Sequence, residues 1–392
     1  QALFSAHIQT SEEGIKIVKM KFSMLLHSFC IVLGVVARCA PGTAAFSVPM
    51  PLAGCARGHP RECQLAARPR SSSCSRRRGR FVARMQEGDG EEINEREMTG
   101  LSDLSLLGAF GKLRAGLPTK TRELPKPSRI NESFEIQCEK ASYLLKINRH
   151  RPASIGFEGE AASQQALRFG GMMCPKALRV GDLPDGGSYM IQEFLDFDAD
   201  ALHEPDTQRA LGILLAQMHL HHAERHQQFG FGLNTCLGTL PMDNSFCDTW
   251  SEFFVEQRLR PHFSLVVERF PEEARELILL APLIFDKARF LLENDLIRPS
   301  ILHGNLSPQR TAVVKWQRND QELTRIYLTG PSSFYGDSEF DMAFEDWPLP
   351  ETRTDFSPFF YRAYYSTIER RPGHAKRRQM YQLFHLLNGA LM

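Results

Sequence analysis

The sequence predicts an α+β protein in two lobes, a small sheet-rich lobe followed by a larger helical one. Two observations carry this. Between Phe134 and Phe194 short apolar runs are separated by polar or Gly/Pro breaks, the pattern of strands joined by turns. Beyond Asp200 those signals largely stop, and apolar residues recur at helical spacing instead. Strands first and helices after, rather than alternating, place the chain in the α+β class. From Ser102 to the last residue there are about 290 residues, enough to bury a sizeable core across two lobes.

Taken in order, Leu101, Leu104, Leu107 and Phe110 recur at helical spacing, so the domain is expected to begin near Ser102 with a helix. Proline and charge interrupt it from Pro118 to Pro127. Phe134 to Ile147 has a polar break at Gln137 to Lys140 and predicts a hairpin. Ala- and Gln-rich Gly159 to Phe169 suits a helix. Ala177–Val180 and Tyr189–Phe194 flank Leu183-Pro-Asp-Gly-Gly187, a turn-forming stretch, and predict a second hairpin. Three helical stretches follow. Leu211, Leu214, Leu215 and Met218 mark the first, Phe253, Phe254, Gln257 and Arg258 a second with a partly apolar face, and Leu277 to Leu292 the third. The expected lobes are residues 102–195 and 196–392.

The first hundred residues do not read as globular. The chain starts with Gln1, so residues 1–19 are expected to be upstream translation, with Met20 or Met24 as the start. Lys19 and Lys21, the apolar run Leu25 to Ala37 and the small residues Thr43-Ala-Ala45 have signal-peptide anatomy over 20–45, and the run is too short for a membrane span. Residues 46–86 then carry recurring arginines with serines and a single acid, Glu62, which is transit-peptide composition. A signal followed by such a segment beginning Ala44-Ala-Phe46 resembles the two-part leaders of algae with secondary plastids. The mature protein is therefore expected in the plastid, free of the membrane, with secretion or a disordered basic arm as alternatives. Residues 87–101 are an acidic linker. A net charge of +1 gives no sign of a nucleic-acid partner. Five of nine cysteines fall in the leader, and Cys138, Cys174, Cys236 and Cys247 show neither a Cys-x-x-Cys pair nor zinc spacing, as expected in a reducing compartment. Cys138 is expected in the first hairpin, as a plain strand residue or as an exposed, oxidisable thiol.

Ile301-Leu-His-Gly-Asn-Leu306 has the outline of the catalytic loop of kinase-like small-molecule kinases. Tyr327-Leu-Thr-Gly-Pro-Ser-Ser-Phe-Tyr-Gly336, followed by Ser338-Glu-Phe-Asp-Met-Ala343, strongly resembles the fructosamine-3-kinase and ketosamine (ribulosamine)-3-kinase family. Phe229-Gly-Phe231, Thr235-Cys-Leu-Gly238, Tyr381-Gln-Leu-Phe384 and Leu386-Leu-Asn388 match stretches of the same family, and the similarity runs in consistent order from about Ser128 to the end. The resemblance implies a protein-kinase-like fold, ATP as nucleotide and a ketosamine or glycated protein as phosphate acceptor. It also implies site residues. Lys146, in Leu144-Leu-Lys-Ile-Asn148, stands where a strand lysine meets the nucleotide phosphates, and its bland alternative is a strand lysine facing solvent. Glu160, in Phe157-Glu-Gly-Glu160, is the expected partner of that lysine, with Glu158 the weaker candidate. Met190-Ile-Gln-Glu-Phe-Leu195 resembles the hinge, which makes Glu193 and Leu195 nucleotide-binding candidates.

Three positions depart from the family pattern. Asn305 stands where a catalytic Asp would follow His-Gly, Arg310 where a metal-binding Asn is called for, and Gly330 where an Asp precedes the Pro. An amide takes no proton near neutral pH, a guanidinium offers no acceptor atom to a metal, and glycine offers no side chain. The loop Asn131-Glu-Ser-Phe-Glu-Ile136 also lacks the glycine that close approach to phosphate favours. Asp337, Glu339 and Asp341 could replace the lost Mg²⁺ ligands, but they read better as part of the family phrase and as loop or first-turn acids. His219, His222 and His226 read as a solvated helix end rather than a metal site.

The leading expectation is a pseudokinase of this family, with ATP retained in a weakened cleft, Mg²⁺ disfavoured, and action through binding, including to a protein partner the sequence does not name. The alternatives are an active ATP-dependent kinase repairing glycated lysines, and a kinase-like fold turned to other nucleotide chemistry. Positive charge gained at Arg310 and negative charge absent at Gly330 suit bare phosphates. The rival is that Arg310 turns to Glu339 or Asp341.

Overall fold

The computed structural model describes residues 104–392 apart from 114–115, 117, 125–129, 185, 199, 224–225, 294–295, 320 and 348–354. The signal, transit and linker expectations lie outside the described residues. Helix α1 (Leu104–Gly111) precedes strands β1 (Pro118–Glu123), β2 (Glu132–Cys138) and β3 (Ser142–Asn148), helix α2 (Phe157–Phe169), and strands β4 (Ala177–Asp182) and β5 (Ser188–Glu193). The strands form one antiparallel sheet in the order β1-β2-β3-β5-β4. Both predicted hairpins are present, as β2–β3 and β4–β5. The sequence reading left no strand between Pro118 and Pro127, yet β1 occupies its first half. Pro118 opens an edge strand, where a missing N–H is tolerated, and the charged Lys120, Arg122 and Glu123 protect that edge.

Side chains alternate across a strand, so one strand serves two environments. In β3, Leu145 and Ile147 are buried in a core with Ile136, Ile191 and the α1 residues Leu106, Ala109 and Phe110. Lys146, between them, faces the other side.

The second part is mostly helical. It comprises α3 (Pro205–Ala223), the short pair β6 (Thr235–Leu237) and β7 (Leu240–Met242), α4 (Trp250–Phe254), a π turn (Val255–Leu259), α5 (Arg260–Arg269) and α6 (Arg275–Leu292). After it come β8 (Ser300–Ile301), β9 (Thr311–Arg318), β10 (Gln321–Leu328), β11 (Tyr335–Gly336), α7 (Pro358–Thr367) and α8 (His374–Leu391). The α+β class and the order of the lobes are as predicted. The strands beyond Asp200 are a correction, above all the β9–β10 hairpin, whose register pairs Gln321 with Arg318 and Leu328 with Thr311. Its turn begins at Asn319 with φ 51°, a left-handed conformation that asparagine tolerates well.

The larger core is aromatic. Trp250, Phe253, Phe254, Phe334, Phe340, Tyr381 and Phe384 are buried together. The Trp250 indole N–H donates to the Tyr381 hydroxyl at 2.9 Å, and that hydroxyl donates to Asp337 at 2.6 Å. Much of the phrase Phe334-Tyr-Gly-x-Ser-Glu-Phe340 is therefore structural. Among the described residues no helix is long and apolar enough to cross a membrane.

Candidate active-site cleft

One cleft gathers five of the residues singled out in the sequence, Lys146, Glu160, Asn305, Arg310 and Gly330. Lys146 points from β3 to the first turn of α2, where its Nζ lies 2.5 Å from Glu160 Oε1. Glu158 is exposed on the same turn and is not the partner. Both members of the ion pair keep 15% of their side-chain surface accessible, so the lysine stays open to a ligand from the cleft.

Asn305 is placed by a loop held at both ends. Strand β8 pairs with β11, Leu302 N donates to Phe334 O at 3.0 Å and Ser332 N to His303 O at 2.9 Å. Asp341 clamps the turn, since its carboxylate accepts from His303 N at 2.6 Å and Gly304 N at 2.9 Å. Gly304 has φ 73°, and a Cβ there would lie 2.0 Å from the Ser332 carbonyl oxygen, so only glycine fits. Asn305 N donates to His303 Nδ1 at 3.2 Å, and its side chain borders the cleft.

Arg310 ends a 3₁₀ turn, Pro308–Arg310, just before β9. Because β9 and β10 pair back to their ends, Arg310 and Thr329 become neighbours, with Thr329 N donating to Arg310 O at 2.8 Å. The hairpin that the sequence reading missed is thus what brings Arg310 to Gly330. Gly330 has φ 60°, and a Cβ on it would lie 2.6 Å from Arg310 Nη1. The guanidinium therefore fills the space into which a side chain at 330 would project.

The guanidinium does not turn to Glu339 or Asp341, because both are engaged elsewhere. Glu339 is bound by Arg371 at 3.0 Å and by Arg377 at 2.7 and 2.8 Å, Asp337 by Arg371 and the Tyr381 hydroxyl, and Asp341 by the loop it clamps. Burial opposes charge on Glu339, but His374 at 3.5 Å, Arg377 and Arg371 outweigh it and hold the carboxyl well below the usual carboxylate range. None of these three acids points into the cleft. Among the described residues its lining contains one carboxylate, Glu160, already committed to Lys146. Magnesium in phosphotransferase sites is commonly bound by one or two carboxylates together with the phosphates. The residues present do not fit that ion.

Arg151 and Ser188, which the sequence reading missed, also line the cleft, as do Asn131 and Asn148 from stretches it did name. Asn131 accepts from Asn148 Nδ2 at 2.9 Å, tying the residue before β2 to the end of β3, and the glycine-free stretch read as a phosphate loop is strand β2 from Glu132 onward. The basic run Arg149-His-Arg151 directly after the lysine strand was the available signal. The wall of this cleft includes neither Glu193 nor Leu195. Glu193 ends β5 with its carboxylate accepting from Lys176 N at 2.9 Å, and Leu195 is half-buried beyond it. Cys138 is a half-buried residue at the end of β2, its thiol pushed up by burial and by Glu139, which lowers its reactivity. His219 corrects the solvated-end reading. It is fully buried, with Nδ1 2.7 Å from the Tyr364 hydroxyl and Nε2 3.4 Å from Asp341.

Comparison with known proteins places the chain in context. A sequence model of the family described as fructosamine kinase matches residues 115–392. The chain is 33% identical over 283 residues to a ketosamine-3-kinase of Mus musculus, an alignment covering 66% of this chain and 85% of the relative. It is 31% identical over 270 residues to a chloroplastic protein-ribulosamine 3-kinase of Arabidopsis thaliana, covering 66% of this chain and 73% of the relative. Among solved structures, a candidate fructosamine-3-kinase from Haemophilus somnus superposes with a TM-score of 0.59 at 23% identity, covering 72% of this chain and 88% of the other, which establishes a shared fold.

Proposed function

The chain belongs to the fructosamine kinase family, with its kinase-like two-lobed fold, and from that premise we propose that it is a catalytically impaired member, a pseudokinase that acts by binding. The observation that carries this reading is the Arg310 guanidinium beside Gly330. Phosphoryl transfer asks a protein chiefly for positioning and charge neutralisation, through a lysine on the phosphates, metal ligands and an acceptor for the substrate proton. Lys146, held by Glu160, supplies the first. Asn305 is a neutral amide, and Arg310 with Gly330 offers a metal no ligand. Loss of general-base help alone costs about 10² to 10⁴ in rate, so the cation at the metal position is the more damaging change. ATP is the nucleotide suggested by the family, with its phosphates toward Lys146 and its base toward Glu193 and Leu195.

A second reading, an ATP-dependent kinase acting on ribulosamine or fructosamine adducts of lysines, is favoured by the Lys146–Glu160 pair and by the names of the relatives. Phosphotransfer to a ribulosamine-lysine peptide separates the two. The natural chain is expected to show none above background, Asn305→Asp to add little, and the triple change Asn305→Asp, Arg310→Asn, Gly330→Asp to gain measurable turnover. Arg310 must change with Gly330, because a side chain at 330 otherwise meets Nη1. Equal turnover by the natural chain and the triple variant would sink the pseudokinase reading.

For location, the two-part leader and the chloroplastic plant relatives support a plastid protein, with secretion as the alternative.

A further inference from the structure

The cleft carries more positive charge than its own residues neutralise. Among the described residues of its lining, Lys146, Arg151 and Arg310 are cationic and Glu160 is the one acid. Lys146 is paired with that acid. Arg310 has no such partner among the described residues. No side-chain hydrogen bond or ion pair holds its guanidinium, the nearby acids Asp337, Glu339 and Asp341 are bound to other groups, and only its backbone is tied, its N–H to Ser307 O and its carbonyl to Thr329 N and Oγ1. A half-buried guanidinium aimed into a concave site without a counter-charge is costly to keep empty, because five N–H donors lose water without gaining an acceptor. The remaining lining groups include donors as well, the amides of Asn148 and Asn305 and the hydroxyls of Ser133 and Ser188. The cleft's volume of about 120 Å³ is well below that of a pocket holding a whole drug-sized molecule. It suits the phosphate end of a ligand.

We infer that this cleft binds a polyphosphate group as the free anion, with Arg310 and Arg151 neutralising the charge that a metal ion would otherwise offset. The inference rests on the proposed binding role and names its ligand class. Arginine matches phosphate through parallel N–H donors, whereas a magnesium complex would bring two further positive charges to a site already in excess and find no free carboxylate. Magnesium is therefore a competitor here, since it withdraws the free anion from solution. The same chemistry is presented by a nucleoside triphosphate and by inorganic tripolyphosphate.

Calorimetric titration of the full chain with ATP, tripolyphosphate and adenosine, each in EDTA and in excess Mg²⁺, tests this. ATP and tripolyphosphate are expected to bind in EDTA and more weakly with Mg²⁺, and adenosine not to bind measurably. Tighter binding of ATP than of tripolyphosphate identifies a nucleotide as the source, and equal binding identifies the anion alone. Arg310→Ala is expected to weaken binding in EDTA about ten- to a hundredfold, the worth of one charge-assisted contact, with Arg310→Lys intermediate. Thermal unfolding of Arg310→Ala checks that the fold is intact, as expected for a side chain that bonds to nothing within it. Binding that requires Mg²⁺, binding of adenosine as tight as that of ATP, no binding in EDTA, or undiminished binding by Arg310→Ala overturns the inference. Phosphotransfer is a separate readout, so a chain that turns over with Mg²⁺ defeats the pseudokinase reading, whereas a silent chain that binds no anion defeats only this one.

Discussion

Asp341 shows how much of the cleft depends on a residue outside it. Its two oxygens accept the backbone N–H groups of His303 and Gly304, and His219 approaches from the other side. Removing the carboxylate leaves two buried donors unpaired, at about 1–3 kcal/mol each. Asp341→Ala is therefore expected to lose roughly 2–6 kcal/mol of stability, and Asp341→Asn less, because its amide oxygen can still accept. Urea unfolding gives the answer, and a variant with the parent's midpoint would mean that the loop is held by other contacts. Arg258 is a comparable case deeper in. It is fully buried between Phe253 and Phe334, donates to Asp243 O at 2.6 Å and to Asn244, and burial pushes its pKa down to about 9. Asn244 in turn donates to Thr235 Oγ1, which accepts from Ser332, two residues from Gly330. A charge inside the aromatic core thus supports the rim of the cleft.

At the scale of elements, the start of α8 is a charge network. His374 lies 3.5 Å from both Glu339 and Glu345, with Arg371, Arg377 and Arg378 around them. Burial works against a charged His374, but the two glutamates outweigh it and raise its pKa. Glu345, buried but facing His374, Arg370 and Arg378, is lowered like Glu339. The signs follow from linkage. The histidine's contribution is fully present below its unfolded value of about 6.5 and is lost as pH rises through its raised folded value. The glutamates' contribution is present above their unfolded value of about 4.3 and is lost as pH falls through their lowered folded values. Stability from this network is thus greatest between about pH 5 and 6.5. The urea midpoint is expected to fall on the alkaline side in the natural chain and to flatten there in His374→Gln. An alkaline slope unchanged by that substitution would rule out His374 as its source.

Over the whole molecule, the sheet and the helical part are tied next to the cleft. Ser333 N donates to Ser163 Oγ of α2 at 3.0 Å, and Leu328 N to Met173 O at 2.8 Å. Leu167, Met172 and Cys174, at and after the end of α2, share a core with Leu211, Leu215 and Ile301. Glu160 on α2 and Gly330 after β10 are therefore held in one frame. The proposed leader is a matter for the entire chain as well. A reporter fused to residues 20–85 is expected to reach the plastid of a host with secondary plastids, and Phe46→Ala to reduce delivery. Retention of the unaltered fusion in the cytosol would remove the plastid proposal.

The sequence by itself determined what local pattern can encode. Alternation and turn residues disclosed both hairpins of the sheet, helical spacing disclosed α3 and α6, and position within the motifs singled out Lys146, Glu160, Asn305, Arg310 and Gly330, which share one cleft. It missed the β9–β10 hairpin because the first half of β10 is largely exposed and polar, with a burial order that shows no alternation. It misread His219 because a histidine at the end of an apolar helix looks the same whether it meets water or Tyr364, which lies 145 residues away. Tertiary structure alone decided where the charges went. Arg371 and Arg377 took Glu339, the loop backbone took Asp341, and Arg310 was left facing the cleft beside Gly330. The physical reason is that a long charged side chain has no preferred destination in its own segment. Its partner is fixed only when distant parts of the chain are brought within a few ångströms, where desolvation makes an unpaired charge expensive.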